Sequence, residues 1–250
     1  MREQETIYTI PVNDAFHAEG TLCPLCRLEA TTDSNLIEYY LGPSLMEPDV
    51  RQTTNEKGFC RDHLTRMYNS QENRLGLGLM LHTHLLAQRE RILALLSEAE
   101  GSSERKGGLF SRRSQERGAA EIAGDLAAIS TSCVICERLA YTMGRYYDVV
   151  FWQYFHSSEF AELFDKGPPI CLPHLAELVR TAENTLNRSD RKTFFSRLVE
   201  RQGAKLEALA AEVEWFTLKF DYRNRDKPWG ESKTALARAI RTLEGESGLT

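Results

Sequence analysis

The sequence predicts an all-α protein, a pseudo-twofold bundle of two duplicated helical halves followed by a C-terminal extension. Three observations lead there. Apolar residues recur at helical spacing through most of the 250 residues. Only residues 6–12 alternate as a strand does, and Pro11 interrupts them with no obvious second strand to pair with. A cysteine and histidine pattern is also written twice. Cys23 and Cys26 map onto Cys133 and Cys136 with an offset of 110, and Cys60 and His63 map onto Cys171 and His174 with an offset of 111. A repeat of that length is too long for a solenoid unit. The expected organisation is therefore a first half at 1–100 with an N-terminal arm, a flexible linker at 101–118, a second half at 119–218 and a docking segment with a last helix at 219–250.

Taken in order, residues 6–12 read as an extended arm lying on helices. After Cys26 the positions Leu28, Leu36, Ile37, Tyr40 and Leu41 suit a helix that Gly42-Pro43 stops. Pro48 opens a short helix to about Asn55, which Gly58 closes ahead of Cys60. From Leu64 to about Glu100 the pattern reads as one long helix with Leu79, Leu86, Leu93 and Leu96 along one side. Residues 101–118 are rich in Gly, Ser, Arg and Lys and have little to bury. Arg105, Lys106, Arg112, Arg113 and Arg117 read as charges of a solvated connection.

The same order then recurs. Cys133 and Cys136 lead a helix with Leu139, Met143, Tyr146, Tyr147, Val150, Phe151 and Tyr154 on one face. Ser157 caps a short helix that Gly167-Pro168-Pro169 ends before Cys171. Helices follow from Leu175 to about Leu186 and from Asp190 to Phe220, the second with Ser189 as its cap. The aromatic and charged segment from Lys219 to Gly230 belongs to neither repeat, and a final helix runs to about Leu243 before Gly245.

The chemistry is concentrated in the repeated motifs, which hold all six cysteines. Two residues between a pair of thiolates make a tight loop that turns both sulfurs toward one ion. A Cys followed three residues later by His does the same with sulfur and nitrogen. Within each half these sets predict a closed Cys₃His tetrahedron: Cys23, Cys26, Cys60 and His63 in the first, Cys133, Cys136, Cys171 and His174 in the second. That ligand set suits structural Zn²⁺, two per chain. A [4Fe–4S] cluster on the same ligands is the alternative, since both would carry a net charge of −1 that helix N-termini and Arg27, Arg61 and Arg138 would stabilise. Redox dithiols would call for a βαβ setting that a helical chain lacks.

A closed site leaves no open position for a substrate, so the metal reads as structural and the protein as a binding or regulatory scaffold. A redox-sensing or electron-transferring metal–thiolate protein is the second reading and a metalloenzyme the third. His17, His82, His84 and His156 read as ordinary surface or core residues. No phosphate-binding loop, dinucleotide fingerprint or nucleophile elbow occurs.

A formal net charge of −5 gives no overall attraction to nucleic acid or an anionic membrane. The longest apolar stretch, residues 75–87, is far short of a membrane span. Six cysteines in metal-ligand spacing fit a reducing, cytoplasmic setting with protein as the candidate partner, and the oligomeric state is open. The motifs CPLC…GFCRDHL and CVIC…ICLPHL, with KFDYRNRDKPWG near the end, resemble an uncharacterised bacterial domain-of-unknown-function family. The resemblance covers nearly the whole chain and implies the same eight ligands and a bacterial cytosolic protein, but no activity. In the second repeat Pro169-Ile170 stands where the first has Gly58-Phe59, so the turn before the second CxxH is expected to differ.

Overall fold

The structure, a computed structural model, describes residues 2–18, 20, 23–104 and 117–246. Among these residues are eleven α-helices and no strand, so the chain is all-α. Residues 1–31 together with 141–250 form one compact unit, and residues 32–140 form another. The division falls inside two helices, α2 (Pro24–Leu41) and α7 (Val134–His156), and not in the basic segment between the repeats.

The unit made by residues 1–31 and 141–250 begins with α1 (Arg2–His17). This corrects the expectation of an extended arm. Val12, Ala15 and Phe16 are buried at helical spacing, and the Phe16 ring packs 5.0 Å from Phe160 and 5.8 Å from Phe164. Burial of that face outweighs the hydrogen bond that Pro11 cannot donate. Of the predicted face of α7, Met143, Tyr146, Tyr147, Val150, Phe151 and Tyr154 are buried and Leu139 is half-buried. Tyr154 meets Phe164 on α8 (Ser158–Lys166) and Phe194 on α10 (Arg188–Leu218), with ring centroids 5.4 and 5.1 Å apart. Ser157 caps α8 by accepting the Phe160 N–H. The cap of α10 is Asn187, which accepts the Asp190 N–H at 3.0 Å, and not Ser189. The two differ by half a turn, which residue type alone does not resolve.

Between α8 and α10 lies α9 (Leu172–Thr185), and the chain closes with α11 (Ala235–Glu244) packed on α9 and α10. The segment after α10 folds around buried Lys219, whose Nζ donates to the carbonyls of Asn224, Arg225 and Lys227. Trp215 Nε1 donates to the Pro228 carbonyl at 3.1 Å.

The unit of residues 32–140 contains α3 (Pro48–Lys57), α4 (Arg61–Ser70), α5 (Arg74–Glu104) and α6 (Ala119–Thr131). Residues 64–100 are thus two helices and not one. Gln71 takes a left-handed conformation at φ 57°, and Asn73 restarts the chain by accepting the Gly76 N–H at 2.8 Å while donating to the Leu41 carbonyl. The core joins Ile37, Tyr40 and Leu41 of α2 to Met67, Leu77 and Met80, together with Cys133, Val134 and Ile135. Leu79, Leu86, Leu93 and Leu96 share one side of α5 as predicted, but that side faces solvent. Helix α5 extends through Gly101–Glu104 into the predicted linker, while Arg105, Lys106, Arg112 and Arg113 lie outside the described residues. Arg117 pairs with Glu98, Glu121 and Asp125. Among the described residues no single helix is long and apolar enough to cross a membrane.

Candidate metal centres

All four motifs sit where a helix begins. Cys60 and Cys171 are the N-cap residues of α4 and α9, which places His63 and His174 in the first turn on the same side as the cysteine. Cys23 and Cys133 directly precede α2 and α7, with Cys26 and Cys136 in the first turn of each. The side chains of each pair consequently converge, and the positive end of the helix dipole lies against thiolate sulfur.

The four pairs meet in two groups, but not in the expected combination. Cys23 and Cys26 join Cys171 and His174, whereas Cys133 and Cys136 join Cys60 and His63. Each group therefore takes its CxxC from one repeat and its CxxH from the other, correcting the assignment of one complete set to each half. The reason lies in the fold. Val134 N–H donates to the Gly58 carbonyl at 3.1 Å, and Val134 and Ile135 share a core with Phe59 and Met67, so the second CxxC is held beside the first CxxH.

In the first group Cys171 Sγ lies 3.1 Å and Cys26 Sγ 3.4 Å from His174 Nδ1, Cys23 Sγ lies 3.8 Å from it, and the Cys26–Cys171 sulfur separation is 3.5 Å. In the second, Cys60, Cys133 and Cys136 lie 3.1, 3.3 and 3.4 Å from His63 Nδ1, and Cys60 and Cys136 are 3.7 Å apart. These sulfurs are much too far apart for the roughly 2.05 Å of a disulfide. They match a tetrahedron around one ion, for which bonds of about 2.3 Å to sulfur and about 2.0 Å to nitrogen give edges of roughly 3.5–3.8 Å. Within each group all ligand atoms lie within 4.8 Å of one another, so each group could hold one metal ion.

Each imidazole turns Nδ1 to the sulfurs and Nε2 to a carboxylate from α2. His63 Nε2 is 2.6 Å from Asp33 Oδ1, and Asp33 is itself buried and paired with Arg66. His174 Nε2 lies 3.4 Å from half-exposed Glu29. Such carboxylates fix the ring orientation and raise the basicity of a metal-binding imidazole. Sequence inspection did not single out Glu29 or Asp33. Their only signal was their position three and seven residues after Cys26, on the helix whose first turn holds Cys26.

The clustered groups perturb one another strongly. Hydrogen bonds from Cys171 and Cys26 hold the Cys23 thiol far below its ordinary range, while the hydrogen bonds of Cys26 with Cys171 and Cys23 push its thiol up. Burial opposes a charged His174, but Cys171, Cys23 and Glu29 overcome it and raise that imidazole to about 11. Contact with Cys133 raises His63. Burial works against ionising Cys133, yet His63 and backbone N–H groups bring its thiol down to about 6. In each cluster one cysteine is thus pulled toward the thiolate while a neighbouring cysteine and the imidazole hold protons more tightly, so an ion that binds there displaces protons.

The loops that deliver the two CxxH motifs are held by long helices. Gly58, at φ 66°, ends α3, and a Cβ there would come within 2.6 Å of the His84 ring. His84 Nδ1 and Gln88 Nε2 from α5 both hydrogen-bond the Asn55 carbonyl. In the other loop, where Pro169 cannot take a positive φ, α10 supplies the support. Buried Arg201 donates to the carbonyls of Phe164, Gly167 and Pro168, and Gln202 pairs with both backbone groups of Ile170. His17 and His156 donate to carbonyls one turn back in their own helices.

The two groups differ in access. Cys23, Cys26, Cys171 and His174 are all buried, whereas Cys60 is partly open and Cys136 exposed. Cys60 also lines a cavity of about 740 Å³ with Arg61, Asp62 and His84.

The sequence matches, over residues 1–248, a family described as a family of unknown function, DUF6062. The chain belongs to this family. The match spans both centres, as the resemblance read from the motifs anticipated. No curated protein and no solved structure matches the chain.

Proposed function

We propose that the protein is a structural or regulatory scaffold for protein partners, organised by two Cys₃His zinc ions. The supporting observation is the compactness of each ligand set, with every ligand atom within 4.8 Å of the others. That span suits a single tetrahedral ion. A four-iron cluster distributes its ligands one to each iron, which adds a metal–metal separation between ligand atoms. Four protein ligands also fill the coordination shell, as in structural zinc sites. When bound, each ion supplies a cross-link between segments distant in the chain, residues 23–26 with 171–174 and residues 60–63 with 133–136. Its binding free energy thereby becomes folding free energy. Free thiols at all six cysteines agree with a reducing, cytoplasmic setting.

A second reading, a labile metal–thiolate centre that responds to redox state, is favoured at one group only, where Cys136 is exposed. Elemental analysis and a visible spectrum of freshly purified protein test the main reading. Colourless protein with about two zinc per chain supports it. Brown protein containing iron and inorganic sulfide overturns it.

A further inference from the structure

The unit of residues 1–31 and 141–250 holds a cavity of about 510 Å³, and none of the residues lining it is among the eight candidate metal ligands. Its volume is that of a small-molecule site, and so is its lining, largely aromatic with a few polar groups. Tyr8 of α1 and Phe151, Trp152 and Phe155 of α7 supply apolar wall. Trp152 is 46% exposed, and the His156 ring lies flat against it, with centroids 4.9 Å apart and planes at 9°. His156 is fixed there because its Nδ1 donates to the Trp152 carbonyl at 2.7 Å. An exposed indole held on the wall of a cavity is a platform for a ring or a cation.

The charged groups of the lining decide between ligands. Asp148 of α7 and Asp190 of α10 bring two carboxylates, against one guanidinium from Arg145. Arg145 lies 3.3 Å from Asp148 Oδ2, and Thr185 Oγ1 donates to Asp148 Oδ1 at 3.2 Å, so Asp148 is largely compensated from within the protein. Asp190 Oδ2 accepts from Asn187 Nδ2 at 2.7 Å, whereas its Oδ1 has no hydrogen-bond partner among the described residues. We propose that this cavity binds a small organic cation, a protonated amine on an aromatic body, with the ammonium at Asp190 and the body against Trp152 and Phe155. An ammonium group carries donors and no acceptor, which suits a carboxylate with an unused oxygen, and its charge also favours the face of an aromatic ring. An anion would meet two carboxylates, and a neutral aromatic molecule would cover the free oxygen of Asp190 without pairing it.

Calorimetric titration of the full-length zinc-loaded protein with phenethylamine, 2-phenylethanol and 3-phenylpropionate tests this, since the three share a phenyl ring and differ in the charge of the head. Phenethylamine is expected to bind with a dissociation constant of about 1 mM or tighter, the alcohol about 10-fold more weakly and the carboxylate more weakly still. Asp190→Asn is expected to weaken phenethylamine about 10-fold and leave the alcohol unchanged, while Trp152→Ala weakens both. Helical circular dichroism and zinc content check that the variants fold, and Asp148→Asn, with the same direction expected, replaces Asp190→Asn should that variant unfold. No saturable binding of phenethylamine up to about 5 mM overturns the proposal. So does an alcohol or carboxylate that binds as tightly as the amine, or amine binding that is indifferent to the Asp and Trp152 variants.

Discussion

Asp33 is the residue that most clearly sets the chemistry of one centre without being a ligand. Its Oδ1 lies 2.6 Å from His63 Nε2, and Arg66 pairs with its other oxygen and so helps to orient it. Asp33→Ala is expected to lower zinc affinity at the Cys60–His63–Cys133–Cys136 centre about 10–100-fold, measured by competition with a chromogenic chelator. Glu29→Gln is expected to change the other centre less, because its contact with His174 is longer and its side chain half exposed. Gly58 is constrained in a different way. Its φ of 66° suits glycine, and His84 fills the space a Cβ would need. Gly58→Ala is expected to cost about 1–3 kcal/mol, read from chemical denaturation of the zinc-loaded protein. The glycine was legible in the sequence as a helix stop ahead of Cys60. Asp33 was not, since a carboxylate on a helix acquires this role only when another segment brings a histidine to it.

At the scale of elements, four helix starts build both centres, and the helices that support them come from elsewhere in the chain. Helix α10 is the clearest case. Arg201 is buried, carries a guanidinium that burial pulls down to about 10, and closes three carbonyls at the end of α8. Replacing it by Leu strands those carbonyls, so Arg201→Leu is expected to destabilise the protein by about 1–3 kcal/mol, measured by denaturant titration. Apolar periodicity could not reveal this, because it assigns charged residues to the outer face, and here Arg201 and Gln202 point inward to meet a loop. The break between α4 and α5 escaped the pattern for a related reason. Apolar residues continue across it, and only the side chain of Asn73, bonded to Gly76 and Leu41, marks a new helix start. The N-terminal segment erred the opposite way. Its alternation spans too few residues to prevail against a helical face that includes Val12 and Phe16.

At the scale of the whole molecule, the exchange of ligand pairs between repeats determines what each ion would join. It gives a stoichiometric prediction. The double variant Cys23→Ser with Cys171→Ser is expected to retain about one zinc per chain, since both residues serve one ion, whereas Cys23→Ser with Cys60→Ser is expected to retain none. The sequence-based pairing predicts the reverse, so elemental analysis of two variants separates them. The difference in burial yields a kinetic prediction as well. Under a chelator such as EDTA, zinc is expected to leave in two phases, with alkylation of Cys136 accompanying the fast one and the Cys23–Cys26–Cys171–His174 centre emptying in the slow one. Mass spectrometry of the quenched protein assigns the thiols. A single phase, or earlier alkylation of Cys23, would contradict the difference in access between the centres.

The amino-acid sequence by itself determined the helical class, the starts of most helices and the identity of all eight candidate ligands. Each of these is local, depending on periodicity, capping residues and spacings of two residues that any short segment carries with it. Which ligand pairs share an ion was decided only in three dimensions. Residues 58–60 and 133–134 are brought together by a backbone hydrogen bond and a shared core, and a spacing pattern within one repeat has no means of expressing that contact. The same holds for the carboxylates behind the histidines and for the outward leucines of α5, whose exposure depends on which of the helix's two apolar sides the core of residues 32–140 accepts.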